Sequence, residues 1–191
     1  MKKISLFFFF SFFILPAALF ATHNRAGEIT FRKINDLTYE ATIVTYTKIS
    51  SPADRPSLEI FWGDGSSDTI PRINEPGDQV GPDVKKNIYV GVHTYNTLGN
   101  YLIHFEDPNR NGGVINIPNS INVPFAVGTW LYLNPFLGSN NSPVLLNPPI
   151  DDACINQHYV HNPGAYDPDG DSLSYELTVC LGLNGDPIPG Y

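Results

Sequence analysis

Beyond its opening segment, this 191-residue chain lacks any long hydrophobic run, so nothing after the leader is long and apolar enough to span a bilayer as a helix. Basic residues are scarce: 11 Lys and Arg stand against 19 Asp and Glu, a formal charge of −8. The longest basic runs are the pairs Arg32-Lys33 and Lys85-Lys86, which argues against nucleic acid and against an anionic membrane surface as partners. Catalytic signatures are missing as well: there is no G-x-S-x-G, no Gly-rich phosphate loop opening a helix, and no H-E-x-x-H. Asp151 and Asp152 are adjacent ahead of an expected strand, where neighbours face apart. Carboxylates distant in sequence could still meet in space, but the expectation is that this chain is not an enzyme. The five histidines do not cluster. His158 and His161, three apart, would point to opposite faces of a strand, which disfavours a shared zinc. No window of a dozen residues keeps a 3.6-residue apolar period free of Pro and Gly, so no helix is expected.

What is present begins with "MKKISLFFFFSFFILPAALFATHN". Two lysines, an apolar core from about Leu6 to Leu15, and small residues before Thr22 have the layout of a secretory signal peptide spanning residues 1–21. A membrane anchor is the alternative, but the uncharged core is short for a span. Cleavage after Ala21 would remove Lys2 and Lys3 and carry the formal charge to about −10. The mature chain is then expected outside the cytoplasm, at the cell surface or extracellular, without a transmembrane span.

Short alternating segments dominate the rest. "EITFRKI" and "LTYEATIVTYTKI" flank an Asn-Asp turn, and "SLEIFW" follows the loop "SSPADRP" before "GDGSS" stops it. "PRINEPGDQVGPD" reads as a long loop, after which "NIYVGVHTY", "GNYLIHFED" and "INVPFAVGTWLYLNP" read as further strands. Short strands at this spacing, with 17 Pro and 16 Gly, predict an all-β sandwich over residues 22–134. Pro and Asn density then peaks in "NPFLGSNNSPVLLNPP", expected to be a linker over residues 135–149. Residues 150–191 carry a new strand pattern but are too few for a sandwich of about 100 residues. They read as the opening strands of a second, incomplete β-sandwich unit that continues beyond the given chain.

In "FWGDGSSDT", glycines flank Asp64 directly after an apolar strand, a tight turn whose carboxylate can accept backbone N–H groups. With "HTYNTLGNYLIHF" downstream, the combination resembles the PKD domain, an immunoglobulin-like β-sandwich. The matching residues are Gly63, Asp64 and Gly65, then His93, Tyr95, Gly99 and Tyr101, with Trp62 standing where the pattern usually has Phe. The resemblance implies that these residues serve the fold and carry no catalysis. A longer resemblance rests on "THNRAGEITF", "FEDPNRNGGVINIPNSINVPF" and "NSPVLLNPPIDDACINQHYVHNPGAYDPDGDSLSYEL". These stretches are similar to the N-terminal part of large gliding-motility-associated surface proteins of the Bacteroidetes, which implies type IX secretion. The C-terminal sorting domain of such proteins is absent from the chain.

Within "YDPDGDSLSYEL", Asp167, Asp169 and Asp171 alternate beside Gly170. A loop that curls could turn all three carboxylates toward Ca²⁺, which takes six to eight oxygen ligands. The spacing is not that of an EF-hand, since Gly170 is fourth and Thr178, not Glu, is twelfth. The phrase is similar to one in bacterial cadherin-like domains, which implies calcium near a domain junction, whereas the residues alone fit a solvated turn held by Asx hydrogen bonds equally well. "DPNRNGG" offers a weaker half-match through Asp107, Asn109, Asn111 and Gly112, with Pro118 in place of the closing Glu.

Cys154 and Cys180 are the only cysteines. In an exported chain an even pair favours a disulfide over a redox or zinc site, with two buried free thiols as the alternative. If "INQHYVHNP" and "SLSYELTV" pair as antiparallel strands, both cysteines fall at the end opposite the acidic loop, where a bridge would hold it shaped.

The functional expectation is a non-catalytic surface module for adhesion, scaffolding or display, binding an extracellular protein or glycan, with Ca²⁺ as a candidate stiffener. The alternative is an accessory glycan-binding module of an extracellular enzyme whose catalytic domain lies beyond residue 191. An exposed aromatic strip would favour that alternative. Trp130, Tyr132 and Phe136 are candidates, although alternation more simply puts Trp130 and Tyr132 in the core.

Overall fold

The computed structural model describes residues 24–136, 138–149 and 154–188. The leader read over residues 1–21 and the carboxylates Asp151 and Asp152 lie outside the described residues. Eight strands form two four-stranded antiparallel sheets: β1 (Asn24–Asn35), β2 (Thr38–Thr47), β3 (Ser57–Phe61), β4 (Ser67–Pro71), β5 (Asp78–Gly81), β6 (Val84–Thr94), β7 (Gly99–Asp107) and β8 (Phe125–Leu133). The strand orders are β1-β2-β6-β5 and β4-β3-β7-β8, and the sheets pack as a sandwich. Among the described residues there is no α-helix, and hence no helix long and apolar enough to cross a membrane.

Period-2 alternation fills the space between the sheets. Tyr39, Ala41 and Ile43 of β2 face Ile60 of β3 and Ile103 and Phe105 of β7, with Leu131 and Leu133 of β8 completing the same cluster. Trp62 is fully buried. Its indole fits because Gly91 on β6 lacks a side chain: a Cβ there would stand 3.1 Å from the ring. Trp62 Nε1 donates to Asp68 at 2.7 Å, so the large ring is buried with its polar atom satisfied.

Two strands arise where the sequence suggests only loop. β4 begins at the last Ser of "GDGSS", and β5 lies within "PRINEPGDQVGPD". Both are edge strands and mostly exposed. The hydrophobic alternation that marks a half-buried strand is therefore weak in them, and pairing with a neighbour forms them instead. In β5, Asp78 stands opposite Lys86 of β6, an opposite-charge cross-strand pair.

The stretch read as a linker docks on the sandwich. Ser142 is buried against the open edge of β1, where its N–H donates to the Phe31 carbonyl at 3.0 Å and its hydroxyl accepts the Phe31 N–H at 2.7 Å. Asn141 Oδ1 accepts the Lys33 N–H at 2.8 Å. An edge strand's unpaired backbone groups are thereby covered. Beyond it, the strands expected at "INQHYVHNP" and "SLSYELTV" do not form; residues 154–188 contain isolated bridges, Val144 with Tyr166 and Leu181 with Pro187, and one short 3-10 turn at Leu183–Gly185. Two-stranded pairings need further strands or a packing surface to persist, and here Tyr175, Leu177 and Val179 stay exposed.

The expected disulfide is absent. Cys154 and Cys180 are both free thiols. Without the strand pair nothing aligns them: Cys154 sits exposed in a turn where its carbonyl accepts the Gln157 N–H, while the Cys180 carbonyl accepts the Ile188 N–H in a separate loop.

Candidate binding face

The turn after β3 supports this side of the sandwich. Gly63 has φ 84°, and a Cβ on it would lie 2.6 Å from the Leu102 N of β7, so only glycine allows this approach of two backbones. Asp64 accepts from the Ser66 N–H (3.0 Å), the Ser66 hydroxyl (2.6 Å) and His93 Nε2 (2.8 Å). Partial burial works to raise the Asp64 pKa, but the bonds from Ser66 and His93 outweigh it and hold it at about 2. His93 stacks on Trp62 at 4.9 Å, and Tyr95 donates its hydroxyl to the Trp62 carbonyl at 3.0 Å. Burial pushes the Tyr95 phenol well above its ordinary value, so it stays a donor. Tyr95 stacks in turn on Tyr101 at 4.3 Å. These contacts are architectural.

With one face of β7 and β8 committed to the core, the other faces outward, and its register is set by pairing. Glu106 stands opposite Ala126, His104 opposite Gly128, Leu102 opposite Trp130, and Asn100 opposite Tyr132. Trp130 and Tyr132 are therefore not core residues; they are 53% and 54% exposed, and Leu131 and Leu133 fill the core instead. Alternation alone cannot say which set faces in. The two outward rings lie nearly parallel, 24° apart, with centroids 6.3 Å apart. Phe61 of β3 stacks on His104 at 4.8 Å and extends the aromatic surface sideways. Phe136, past the strand end, is 92% exposed.

A groove of about 560 Å³ runs beside Trp130, floored by Leu102, His104 and Gly128. Leu181, Asn184 and Gly185 from the C-terminal segment form a wall. Two bonds hold that wall: the Asn184 N–H donates to Glu106 Oε1 and Arg110 Nη2 donates to the Leu181 carbonyl, each at 2.6 Å. Arg110 is itself buried, donating through Nε to the Pro124 carbonyl and lying over the Phe125 ring at 5.1 Å. Among the described residues His104 and Glu106 are the only ionisable side chains lining the groove, 4.0 Å apart. Aromatic walls with a few placed polar groups are the usual makeup of a small-ligand site.

The acidic loop has a different arrangement. Asp167 Oδ1 accepts the N–H groups of Asp169 (2.8 Å) and Asp171 (3.2 Å), an Asx-type turn. Asp169 accepts the Asn141 N–H at 2.6 Å and its side-chain amide at 3.0 Å. With its amide nitrogen turned inward, Asn140 donates to Asp169 and to Asp171 at 3.0 Å. The three carboxylates are thus spread over backbone and asparagine donors, and the loop ties residues 167–171 to the strap on β1. Among the described residues no three His, Cys, Asp or Glu side chains gather into a metal-binding group. In "DPNRNGG", Asp107 is buried and paired with Arg55 at 3.0 Å, while Asn109 donates to the Ile121 carbonyl.

One polar network has no signature in the sequence. Arg72 is buried between sheets and donates to Asp54 (2.7 and 2.6 Å), Glu75 (2.7 Å) and Asn87 (2.8 Å), with Lys85 also on Asp54. The Arg72 hydrogen bond is foremost in holding the Asp54 carboxyl far below its ordinary value; partial burial opposes it and Lys85 assists it. It ties the end of β4 to β6 of the opposite sheet, two strands that the packing of the sheets brings together.

No protein-family description, curated protein or solved structure matches the chain.

Proposed function

We propose that this chain is an exported, non-catalytic binding module of immunoglobulin-like, PKD-like build that takes a neutral extracellular glycan on the outer face of β7 and β8. The observation that carries it is the pair Trp130 and Tyr132, held side by side and half exposed on a rigid strand. Aromatic side chains bury about 150–250 Å² each when covered. Half of that for two rings is about 200 Å², or about 5 kcal/mol of gross apolar gain at about 25 cal/mol per Å², before ordering costs. Such rings present electron-rich faces to polarised C–H groups, as a pyranose offers, and His104 and Glu106 can bond hydroxyls.

Charge favours an uncharged ligand. The groove lining has no Lys or Arg, and its one carboxylate already accepts from Asn184. Adhesion and accessory glycan binding converge on this face, since either role needs a saccharide contact. The test is retention of the purified chain on immobilised neutral polysaccharides, comparing wild type with a Trp130→Ala, Tyr132→Ala double variant. Retention that the double variant loses, with unchanged unfolding, supports the reading. Equal retention of both removes it.

A further inference from the structure

We infer that the groove is closed at one end and recognises the terminus of a glycan chain, not its interior. This rests on the glycan reading above. The wall formed by residues 181–185 meets β7 and β8 at the Glu106–Ala126 pair, where the Asn184 N–H is bonded to Glu106. From that pair the floor runs along β8 past Gly128 to Trp130 and Tyr132. Four and six residues at about 3.3 Å each put the two rings about 13 and 20 Å from the wall. At their end the surface stays open, with both rings half exposed. Among the described residues, a chain laid on the rings along β8 therefore meets the wall at one end only.

The obstruction is built to stay. Its loop is closed by the Gly182 N–H to the Asp186 carbonyl (2.8 Å) and the Ile188 N–H to the Cys180 carbonyl (3.1 Å). Buried Arg110 and buried Ile188 anchor it. Next to the wall the Leu102 side chain leans over Gly128, where an added Cβ would stand 3.0 Å from Leu102 Cδ1 and 3.5 Å from His104 Cβ. A terminal sugar ring that meets the wall has its hydroxyls beside His104 and Glu106. Trp130 and Tyr132 then carry the following units. Terminal recognition follows from the closed wall.

The experiment uses the full mature chain and soluble neutral β-glucans and mannans, each offered as long polymer and as the same polymer shortened by partial hydrolysis. Titration calorimetry reads the number of binding sites per gram and the Kd per site. Sites per gram that rise in proportion to chain ends, at constant Kd, are expected. Sites per gram that do not change on shortening overturn terminal recognition and leave the glycan reading intact. No binding to any of the polymers overturns both. So would self-association that Trp130→Ala abolishes, since the rings would then be covered by a second copy of the chain.

Discussion

Replacing Asp64 by Ala removes the shared acceptor of Ser66 and His93 in the turn beneath β7. Its carboxyl sits at about 2 in the folded chain against an ordinary 3.8. A carboxyl depressed on folding stabilises fully above its unfolded value and loses that contribution as pH falls through its folded value. That depression corresponds to at most about 2 kcal/mol. Because the side chain is 19% exposed, screening reduces this to about 1–2 kcal/mol. Urea unfolding of wild type and Asp64→Ala at pH 7, 4.5 and 2.5 measures the difference directly. Linkage predicts a full difference at pH 7, nearly the same at pH 4.5, and about a third of it at pH 2.5. A difference that stays constant down to pH 2.5 would refute the assignment of this carboxylate as the charged keystone of the turn.

Adjacent residues of β8 should separate stability from binding. Leu131→Ala should cost about 2–5 kcal/mol through its buried cavity, whereas Trp130→Ala should stay within about 0.5 kcal/mol; denaturant melts distinguish them. Ser142→Ala leaves the buried Phe31 N–H without its hydroxyl acceptor and should cost about 1–3 kcal/mol, read as a lower urea midpoint. Trp62→Ala should cost about 3–5 kcal/mol; a melt within a few tenths of wild type would contradict its place between the sheets. Titration of the native chain with a thiol reagent should count two thiols, Cys154 reacting before the half-covered Cys180; a count of zero would restore the disulfide.

Much of the sandwich was legible because its central strands carry their burial in their spacing. In the first half of β2 and in β7 every second residue is apolar, and a strand with one face in the core can keep that pattern only in one register. The turn at Gly63, Asp64 and Gly65 was equally plain, since few residues tolerate its backbone. The edge strands β4 and β5 were not, as they bury little and are held by partners distant in the chain. The same limit hid the Arg72 lock and the docking of Ser142, both of which depend on tertiary packing that composition does not encode.

The candidate site divides along this line. Residue type and alternation determined that Trp130 and Tyr132 would share one face, and that the chain would be acidic and sheet-rich. Only the tertiary structure decided that this face looks outward, because facing in or out depends on which neighbours the opposite sheet supplies. It also decided that Asp167, Asp169 and Asp171 bond backbone and asparagine donors, and that Cys154 and Cys180 lie in separate loops. Local chemistry sets what each residue can do; the packing of segments far apart in sequence selects which of those options is used.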